Sequence, residues 1–255
     1  FFFNDTATPE IYPLSLHGAL PISWLDYLHS PDGETPGFQD LCYTAAVRRT
    51  HHDYRLACVA NSKHELIQCL QAFSAGEFLP GVSFGRRLPA QQRKTVFVFS
   101  GQGSQWLGMA KDLFDGYAVF RSTLEKCDEA IQRQAGWSVK SELLADESKS
   151  RLEQIDILQP VLFAVQVALS DLWQSWGVKP AAVVGHSMGE VAAAFAARIL
   201  ELDDAARIIC VRSRLLKRAS GQGGMLAVEL SCDEVRHRIE KHANRVVIAA
   251  INGPT

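Results

Sequence analysis

The chain has 255 residues, of which 47% are hydrophobic and 21% are charged, and its formal net charge is -2. This composition is that of a globular protein with one large or two small domains. The near-neutral charge argues against nucleic-acid binding, and no apolar stretch approaches the roughly 20 residues of a membrane-spanning helix. The six cysteines are scattered without a CxxC pair, which indicates reduced thiols in a cytoplasmic protein and predicts no disulfide framework and no metal site.

The first 23 residues differ from the rest of the chain. Residues 1–23 read FFFNDTATPEIYPLSLHGALPIS and resemble a translated sequencing-adapter stretch. They lack a basic n-region, so they make a poor secretory signal. We therefore interpret them as non-native, the alternative being an irregular segment that continues from upstream sequence. The chain also stops directly after a strand-like run, and we expect it to be a piece cut at both ends.

Residues 24–94 are predicted to form a small α/β unit. A turn-rich loop, a short helix and a strand come first. The next helix has Ser62 as its N-cap, and Glu65 is expected to close a capping box with it. The Gly, Pro and basic residues of 79–94 then indicate an extended linker over a surface.

A second domain is predicted over residues 95–222. It opens with a short apolar strand at 95–99, expected to be buried on both faces. Helices follow, and Pro160 is expected to open the longest of them at its favoured first position. A second buried strand at 181–185 leads into a helix of small residues. Strands that alternate with helices predict an α/β fold with a parallel sheet wrapped by helices.

The last part of the chain, residues 223–255, is predicted to begin a smaller α+β unit. Two strand-like runs, at 224–230 and 245–251, flank a helical run at 231–243. This order of strand, helix and strand matches only the first half of such a unit.

Ser187 lies in the sequence Gly185-His186-Ser187-Met188-Gly189, which fits the G-x-S-x-G pattern. A predicted strand leads into it and a predicted helix leads out, the context in which a strained turn exposes the serine hydroxyl. The N–H of Met188, at the helix N-terminus, would then be an oxyanion donor. The pattern predicts a nucleophilic serine, the alternative being an inert serine in a tight strand–helix turn.

The glycine-rich loop at 99–105, FSGQGSQ, also joins a strand to a helix. Backbone amides at such a place commonly face a ligand. The loop lacks the Lys-Ser/Thr of a P-loop and is not a G-x-G-x-x-G. We interpret the N–H of Gln102 as a second oxyanion donor, with a plain strand–helix turn as the alternative.

Arg212 is singled out by helical periodicity. On a helical wheel for 203–219 it falls in the middle of an apolar face, and a lone guanidinium facing a core is costly unless an anion meets it. Two alternatives remain open, a buried ion pair with an acidic group and a bidentate clamp for a substrate carboxylate. The apolar face consists of Ala205, Ile208, Leu215, Leu216 and Ala219.

No histidine is a convincing general base for Ser187. His186 immediately precedes Ser187, so on a sharp turn the two side chains diverge. His237 and His242 lie on a predicted helix among charged neighbours, where solvent exposure is the simplest interpretation.

Five blocks together resemble the acyltransferase domain of a type I polyketide synthase, in the malonyl-CoA:acyl carrier protein transacylase family. They are VFSGQGSQW, LQPVLFAVQVAL, GHSMGE, RSRLL and GGMLAVEL, in the family's order, and LCYTAAVRRTHHDYRLA resembles the linker that joins the ketosynthase to the acyltransferase. The resemblance covers residues 38–255. It implies an α/β hydrolase-like large subdomain and the start of an inserted ferredoxin-like small subdomain.

The resemblance also implies a two-step acyl transfer with no bound cofactor. Ser187 would attack the thioester of an acyl-CoA, and the N–H groups of Gln102 and Met188 would hold the oxyanion. Arg212 would pair with the free carboxylate of malonyl or methylmalonyl, and Gln159 is assigned to substrate binding from its family block. The phosphopantetheine arm of an acyl carrier protein would collect the acyl group, with the ketosynthase domain as the adjacent partner.

The chain departs from the family in what it lacks. The family's catalytic histidine comes from a block beyond the small subdomain, and this chain stops before it, so we expect the isolated chain to be inactive. Met188 does not distinguish malonyl from methylmalonyl specificity. Two other functions remain as alternatives: a serine esterase or thioesterase, against which the GQGSQ block and Arg212 argue, and a non-catalytic scaffold fragment.

Overall fold

The computed structural model describes residues 2–4, 13–89, 94–242 and 244–254. The chain divides into two compact units, Phe1–Lys94 and Thr95–Thr255.

Over its described residues, the first unit combines a three-stranded antiparallel sheet, in the order β1-β2-β3, with four α-helices. Its small core lies between helices and sheet and includes Leu28, Leu56, Leu66 and Leu70. The elements are β1 (Phe2–Asn4), α1 (Pro13–His29), α2 (Pro31–Glu34), α3 (Phe38–Tyr43, continued by a π-helical turn, Thr44–Arg48), β2 (Tyr54–Cys58), α4 (Lys63–Ser74) and β3 (Val82–Arg86).

Two details of this unit differ from the sequence predictions. Ser62 caps α4 as expected, accepting a hydrogen bond from Glu65 N at 3.1 Å, but the Glu65 carboxylate accepts from Asn61 N instead of closing the box on Ser62. The prediction of an extended linker over 79–94 is wrong for residues 82–86. These residues form β3, which pairs with β2, so that the backbone groups on the paired edge are hydrogen-bonded. Residues 90–93 lie outside the described residues.

Much of the N-terminal segment that was interpreted as non-native carries secondary structure. Residues 2–4 form β1, and residues 13–23 belong to α1. Residues 1 and 5–12 lie outside the described residues.

The second unit combines a two-stranded parallel sheet with seven α-helices in the described part of the chain. Helices α6, α8 and α10 pack against one another, and α9 packs on the sheet. The elements are β4 (Val96–Phe99), α5 (Lys111–Gly116), α6 (Ala118–Ala135), α7 (Val139–Leu143), α8 (Ile155–Ser175), β5 (Ala182–Gly185), α9 (Gly189–Ala196), α10 (Leu202–Ala219) and α11 (Cys232–Ile239), with short 3-10 turns at Glu147–Lys149 and Glu240–His242.

The parallel sheet has the expected topology but not the expected burial. β4 and β5 pair in register, with Phe99 opposite Gly185. Phe99 is buried in the core, whereas Val98 is 71% exposed and Val184 is exposed as well. The predictions that β4 is buried on both faces and that β5 is a buried strand are therefore wrong, because α9 covers one face and neighbouring side chains of a strand point to opposite faces.

Helix α8 is the central helix of the second unit and corrects two expectations. It begins at Ile155, five residues before Pro160, so the proline lies inside the helix. The lost hydrogen bond is tolerated because most of the helix is buried in the core. Contrary to the sequence estimate, α8 is also long and apolar enough to cross a membrane by length and composition, but 72% of its apolar window is buried inside the protein. It is a core helix.

The C-terminal segment, residues 220–254, forms its helix but not its strands. α11 has a complete capping box, in which Ser231 Oγ accepts from Glu234 N and the Glu234 carboxylate accepts from Ser231 N at 3.0 Å. The Ser231 hydroxyl also donates to Glu234 Oε2 at 2.6 Å, and this bond together with that from Ser231 N holds the pKa of the Glu234 carboxyl below its usual value. The strands expected at 224–230 and 245–251 are absent from this described segment, since no neighbouring strand supplies their backbone partners.

Candidate active site

Ser187 occupies a strained turn between β5 and α9. Its φ is 54°, in the left-handed region that non-glycine residues rarely adopt. A Cβ on Gly185 would lie 2.5 Å from Glu190 N, and one on Gly189 would lie 2.6 Å from Ser100 O. Both flanking positions therefore require glycine, because the backbone passes too close for any side chain. This turn leaves the serine side chain exposed at the end of the strand.

The glycine-rich loop after β4 lies beside this turn. His186 N donates to Phe99 O at 2.9 Å, which continues the β4–β5 pairing past the strand ends. A Cβ on Gly101 would lie 3.7 Å from Ser187 Cβ and 3.2 Å from His186 Nδ1. The parallel register thus brings the two strand–helix turns together at one edge of the sheet.

The backbone N–H groups of Gln102 and Met188 have no intrachain hydrogen bond within the described residues, and neither do those of Gly101 and Ser187 in the same turns. The next two amides, of Gly189 and Glu190, donate to His186 O and Ser187 O. The Met188 side chain is buried in the core beneath the turn. The two N–H groups that the sequence assigned as oxyanion donors are therefore free to bind an anion.

A chain of side-chain hydrogen bonds joins α10, α8, the glycine-rich loop and the serine. Arg212 Nη2 donates to Ser187 Oγ at 2.9 Å, and Arg212 Nη1 donates to Gln159 Oε1 at 2.5 Å. Gln159 Nε2 donates to Gln102 Oε1 at 2.9 Å. The structure thus assembles Ser187, Arg212, Gln159 and Gln102, which are separated by up to 110 residues of sequence numbering between Gln102 and Arg212.

Arg212 lies at the edge of the buried face of α10 and not in its middle. The residues that pack against α6 and α8 include Ala206, Ile209 and Ser213, whereas Ile208 and Leu215 of the expected apolar face are exposed. The wheel prediction is wrong in this respect, because the small side chains allow the closest helix approach and so set the rotation of the helix.

The charge of Arg212 has no acidic partner among the described residues. Two other basic residues of α10 are paired, Arg207 with Asp204 and Lys217 with Asp156. Arg212 instead donates to the neutral oxygens of Gln159 and Ser187. The structural ion pair considered for Arg212 is therefore absent from the described part of the chain.

Among the described residues, no histidine or cysteine provides a second reactive group beside Ser187. Of the hydrogen bonds in the described part of the chain, the one to Ser187 Oγ comes from Arg212, and none comes from a histidine. His237 lies on α11 with an exposed side chain. Burial raises the pKa of the Cys210 thiol to about 11, which keeps it protonated and unreactive near neutral pH.

Two parts of this site were missed by sequence reasoning. The side chain of Gln102, and not only its N–H, contacts Gln159. Gln166 donates from Nε2 to Ser100 O at 2.7 Å, which ties α8 to the glycine-rich loop. The available signal was the pair of glutamines seven residues apart in the otherwise apolar stretch 157–169, a spacing that places both on one face.

The chain is thus an α/β protein in which Ser187 lies exposed on a strained strand–helix turn, within hydrogen-bond distance of Arg212. Residues 96–255 match the acyl transferase domain family, and residues 24–70 match the family described as CurL-like, PKS C-terminal. The chain belongs to the acyl transferase domain family, in the form found in polyketide synthases. The family resemblance and the α/β fold class expected from the sequence are confirmed.

The relatives are polyketide synthases. The chain is 41% identical over 228 residues to the spectinabilin polyketide synthase system protein NorA' of Streptomyces orinoci, covering 89% of this chain and 6% of that protein. It is 40% identical over 229 residues to erythronolide synthase EryA2 of Saccharopolyspora erythraea, covering 90% of this chain and 6% of that protein. The acyltransferase domain from module 8 of the salinomycin polyketide synthase has a TM-score of 0.82 and 33% identity, with 100% of this chain and 58% of that one covered.

Proposed function

We propose that this chain carries the nucleophile and the substrate carboxylate site for acyl transfer from malonyl-CoA or methylmalonyl-CoA to an acyl carrier protein in polyketide biosynthesis. The observation that carries the proposal is the position of Arg212, which has no acidic partner in the described residues and donates to Ser187 Oγ at 2.9 Å. A free guanidinium at the nucleophile suits an acyl group that itself ends in a carboxylate.

In the first half-reaction, Ser187 Oγ attacks the thioester carbonyl and loses its proton to a general base. The N–H groups of Gln102 and Met188 stabilise the oxyanion of the tetrahedral intermediate. The intermediate collapses as the carbon–sulfur bond breaks, coenzyme A leaves as the thiol with the proton from the base, and the acyl group remains as an ester on Ser187.

In the second half-reaction, the phosphopantetheine thiol of the carrier protein attacks this ester and gives its proton to the serine oxygen. The acyl thioester leaves with the carrier protein, and Ser187 is regenerated. During both steps the guanidinium of Arg212 pairs with the free carboxylate of the substrate, and Gln159 keeps that guanidinium in place through its Oε1.

We further propose that the general base is a histidine outside these 255 residues, and that the chain by itself does not turn over. The support is that no histidine among the described residues donates to or accepts from Ser187 Oγ. In this proposal residues 24–94 are the ketosynthase–acyltransferase linker, residues 95–222 belong to the large subdomain, and residues 223–255 begin the small subdomain. The adjacent ketosynthase domain and an acyl carrier protein are the partners.

The first test compares the chain alone with a fusion that continues from Thr255 into the sequence beyond the matched region of the salinomycin module 8 acyltransferase domain. After incubation with malonyl-CoA or methylmalonyl-CoA, intact-mass spectrometry should detect one acyl adduct on the fusion and none on the chain alone. Ser187→Ala should abolish the adduct, and Ser220→Ala, at an exposed serine, should keep it. An adduct that survives Ser187→Ala would contradict the proposal, and release of free acid without transfer to a carrier protein would favour an esterase.

The second test concerns the carboxylate. Arg212→Ala in the fusion should lower the rate of acylation by malonyl-CoA by about 100-fold, since a charge-assisted hydrogen bond is lost. Acylation by acetyl-CoA, which has no free carboxylate, should change much less. The control is Arg214→Ala, because Arg214 lies on the same helix and donates to Cys210 O. Equal loss with both substrates would assign Arg212 a structural role instead.

A further inference from the structure

The glycine-rich loop is tied to α8 by a side-chain amide. Gln166 of α8 donates from Nε2 to Ser100 O at 2.7 Å. Within the loop, Gly103 N donates to Gln105 Oε1 at 2.8 Å. The N–H of Gln102 lies between these two points and has no intrachain bond in the described chain. The loop is thus anchored to the helix at Ser100 and leaves the N–H of Gln102 free.

Gln159 and Gln166 lie on the same face of α8 and contact consecutive parts of the loop. Gln159 reaches the side chain of Gln102, whereas Gln166 reaches the backbone of Ser100. A Cβ on Gly189 would clash with the same carbonyl oxygen of Ser100, at a distance of 2.6 Å. Ser100 is therefore the point at which α8, the loop and the first turn of α9 meet, directly beside Ser187.

The other end of the Gln166 amide is unusual. Its Oε1 is buried and has no hydrogen-bond partner among the described residues. A flipped amide would place this oxygen against the Ser100 carbonyl, so the observed orientation is the one that bonds the loop. An unpaired buried acceptor destabilises the fold, and a methionine of similar length would remove it. The favourable contact that a glutamine provides at this position is therefore its hydrogen bond to Ser100 O in the loop.

We propose that Gln166 is a positioning residue that holds the Ser100–Gln102 segment against Ser187, so that the N–H of Gln102 stays aimed at the reacting carbonyl. The role of that N–H rests on the proposed function. The position of the loop does not, because it follows from the hydrogen bond between Gln166 and Ser100.

The test uses Gln166→Met, with Gln174→Met as the matched control. Gln174 lies on the same helix, and its Nε2 contacts Ser170 within that helix. In the 255-residue chain, NMR relaxation should give a rigid Gln102 amide in the wild type, with an order parameter near about 0.85, and a mobile one in Gln166→Met, below about 0.6. The melting temperature of Gln166→Met should stay close to that of the wild type, because the loss of the bond to Ser100 O and the removal of the unpaired oxygen have opposite effects on stability. Gln174→Met should leave the loop rigid.

The kinetic arm uses the fusion described above. Gln166→Met should lower kcat for acylation by malonyl-CoA on the order of 10- to 100-fold, as expected for a misplaced donor, with KM changed less than about two-fold. A loop that stays rigid, a fall in melting temperature with kcat unchanged, or an equal effect of Gln174→Met would each overturn the proposal. A wild-type fusion that is never acylated would contradict the proposed function, and the order parameters alone would then decide the role of Gln166.

Discussion

Two regions of the second unit contain similar apolar runs, but these runs form strands in only one of the two regions. In the body, residues 95–219, the runs at β4 and β5 pair in parallel, and α9 covers one face of the pair. In the C-terminal segment, residues 220–254, the comparable runs form no strand in the described chain, and Leu226 is 87% exposed. An apolar run becomes a strand only where a second strand completes its hydrogen bonds and a helix covers its side chains.

The helices of the two regions differ in the same way. α10 buries five residues against its neighbours, whereas α11 buries none and is held by its capping box. Local signals therefore suffice to begin a helix, and tertiary contacts make it stable, since short isolated helices are marginal in water. We expect the body to resist unfolding and the C-terminal segment to open locally.

The largest expected effect is the difference in stability between two Gly→Ala substitutions, one in each region. In Gly189→Ala the new Cβ would lie 2.6 Å from both Phe99 C and Ser100 O, and backbone cannot move aside without breaking the turn. This substitution should destabilise the body by about 3 kcal/mol and lower its melting temperature by about 10 °C. In Gly223→Ala the new Cβ meets nothing within 4 Å, and the effect should stay within about 0.5 kcal/mol. Calorimetry of both variants checks this, and equal melting temperatures would contradict the close approach at Gly189.

A smaller difference is expected between the rates at which trypsin cleaves the two regions of the unmodified chain. Arg207 of α10 and Arg236 of α11 have side chains 64% and 66% exposed, and each pairs with an aspartate three residues earlier. They are therefore matched in exposure and charge and differ in how their helices are packed. Cleavage after Arg236 should be faster than cleavage after Arg207 on the order of 100-fold, because it requires only local opening. Mass spectrometry of the fragments measures both rates, and similar rates would mean that α11 is as stable as α10.

Much of the candidate site was predictable from the sequence because it depends on local backbone geometry. The strand–serine–helix turn follows from glycines at 185 and 189, and the N-cap Ser62 was predictable from its spacing of three residues from Glu65. The special role of Arg212 was also predictable, since a charged residue near apolar positions of a helix requires an explanation.

The partners of these residues were not predictable in the same way. The acidic partner considered for Arg212 is absent from the described chain, and the neutral acceptor Gln159 lies 53 residues away on α8. No local sequence pattern predicted the contact of Gln166 with the loop, apart from its spacing of seven residues from Gln159. The start of α8 was also misjudged, because the burial of the helix outweighs the cost of an internal proline at position 160.

The sequence by itself determined which residues are the candidates for the chemistry: the serine on its turn, the glycine-rich loop and an arginine among apolar neighbours. The tertiary structure alone decided which helix rotation buries α10, which face of the sheet is covered, and which amides hold the loop beside Ser187. The physical reason is the distance along the sequence over which each interaction acts. Turn geometry and capping act over a few residues, whereas packing and the pairing of buried polar groups depend on segments that the fold brings together.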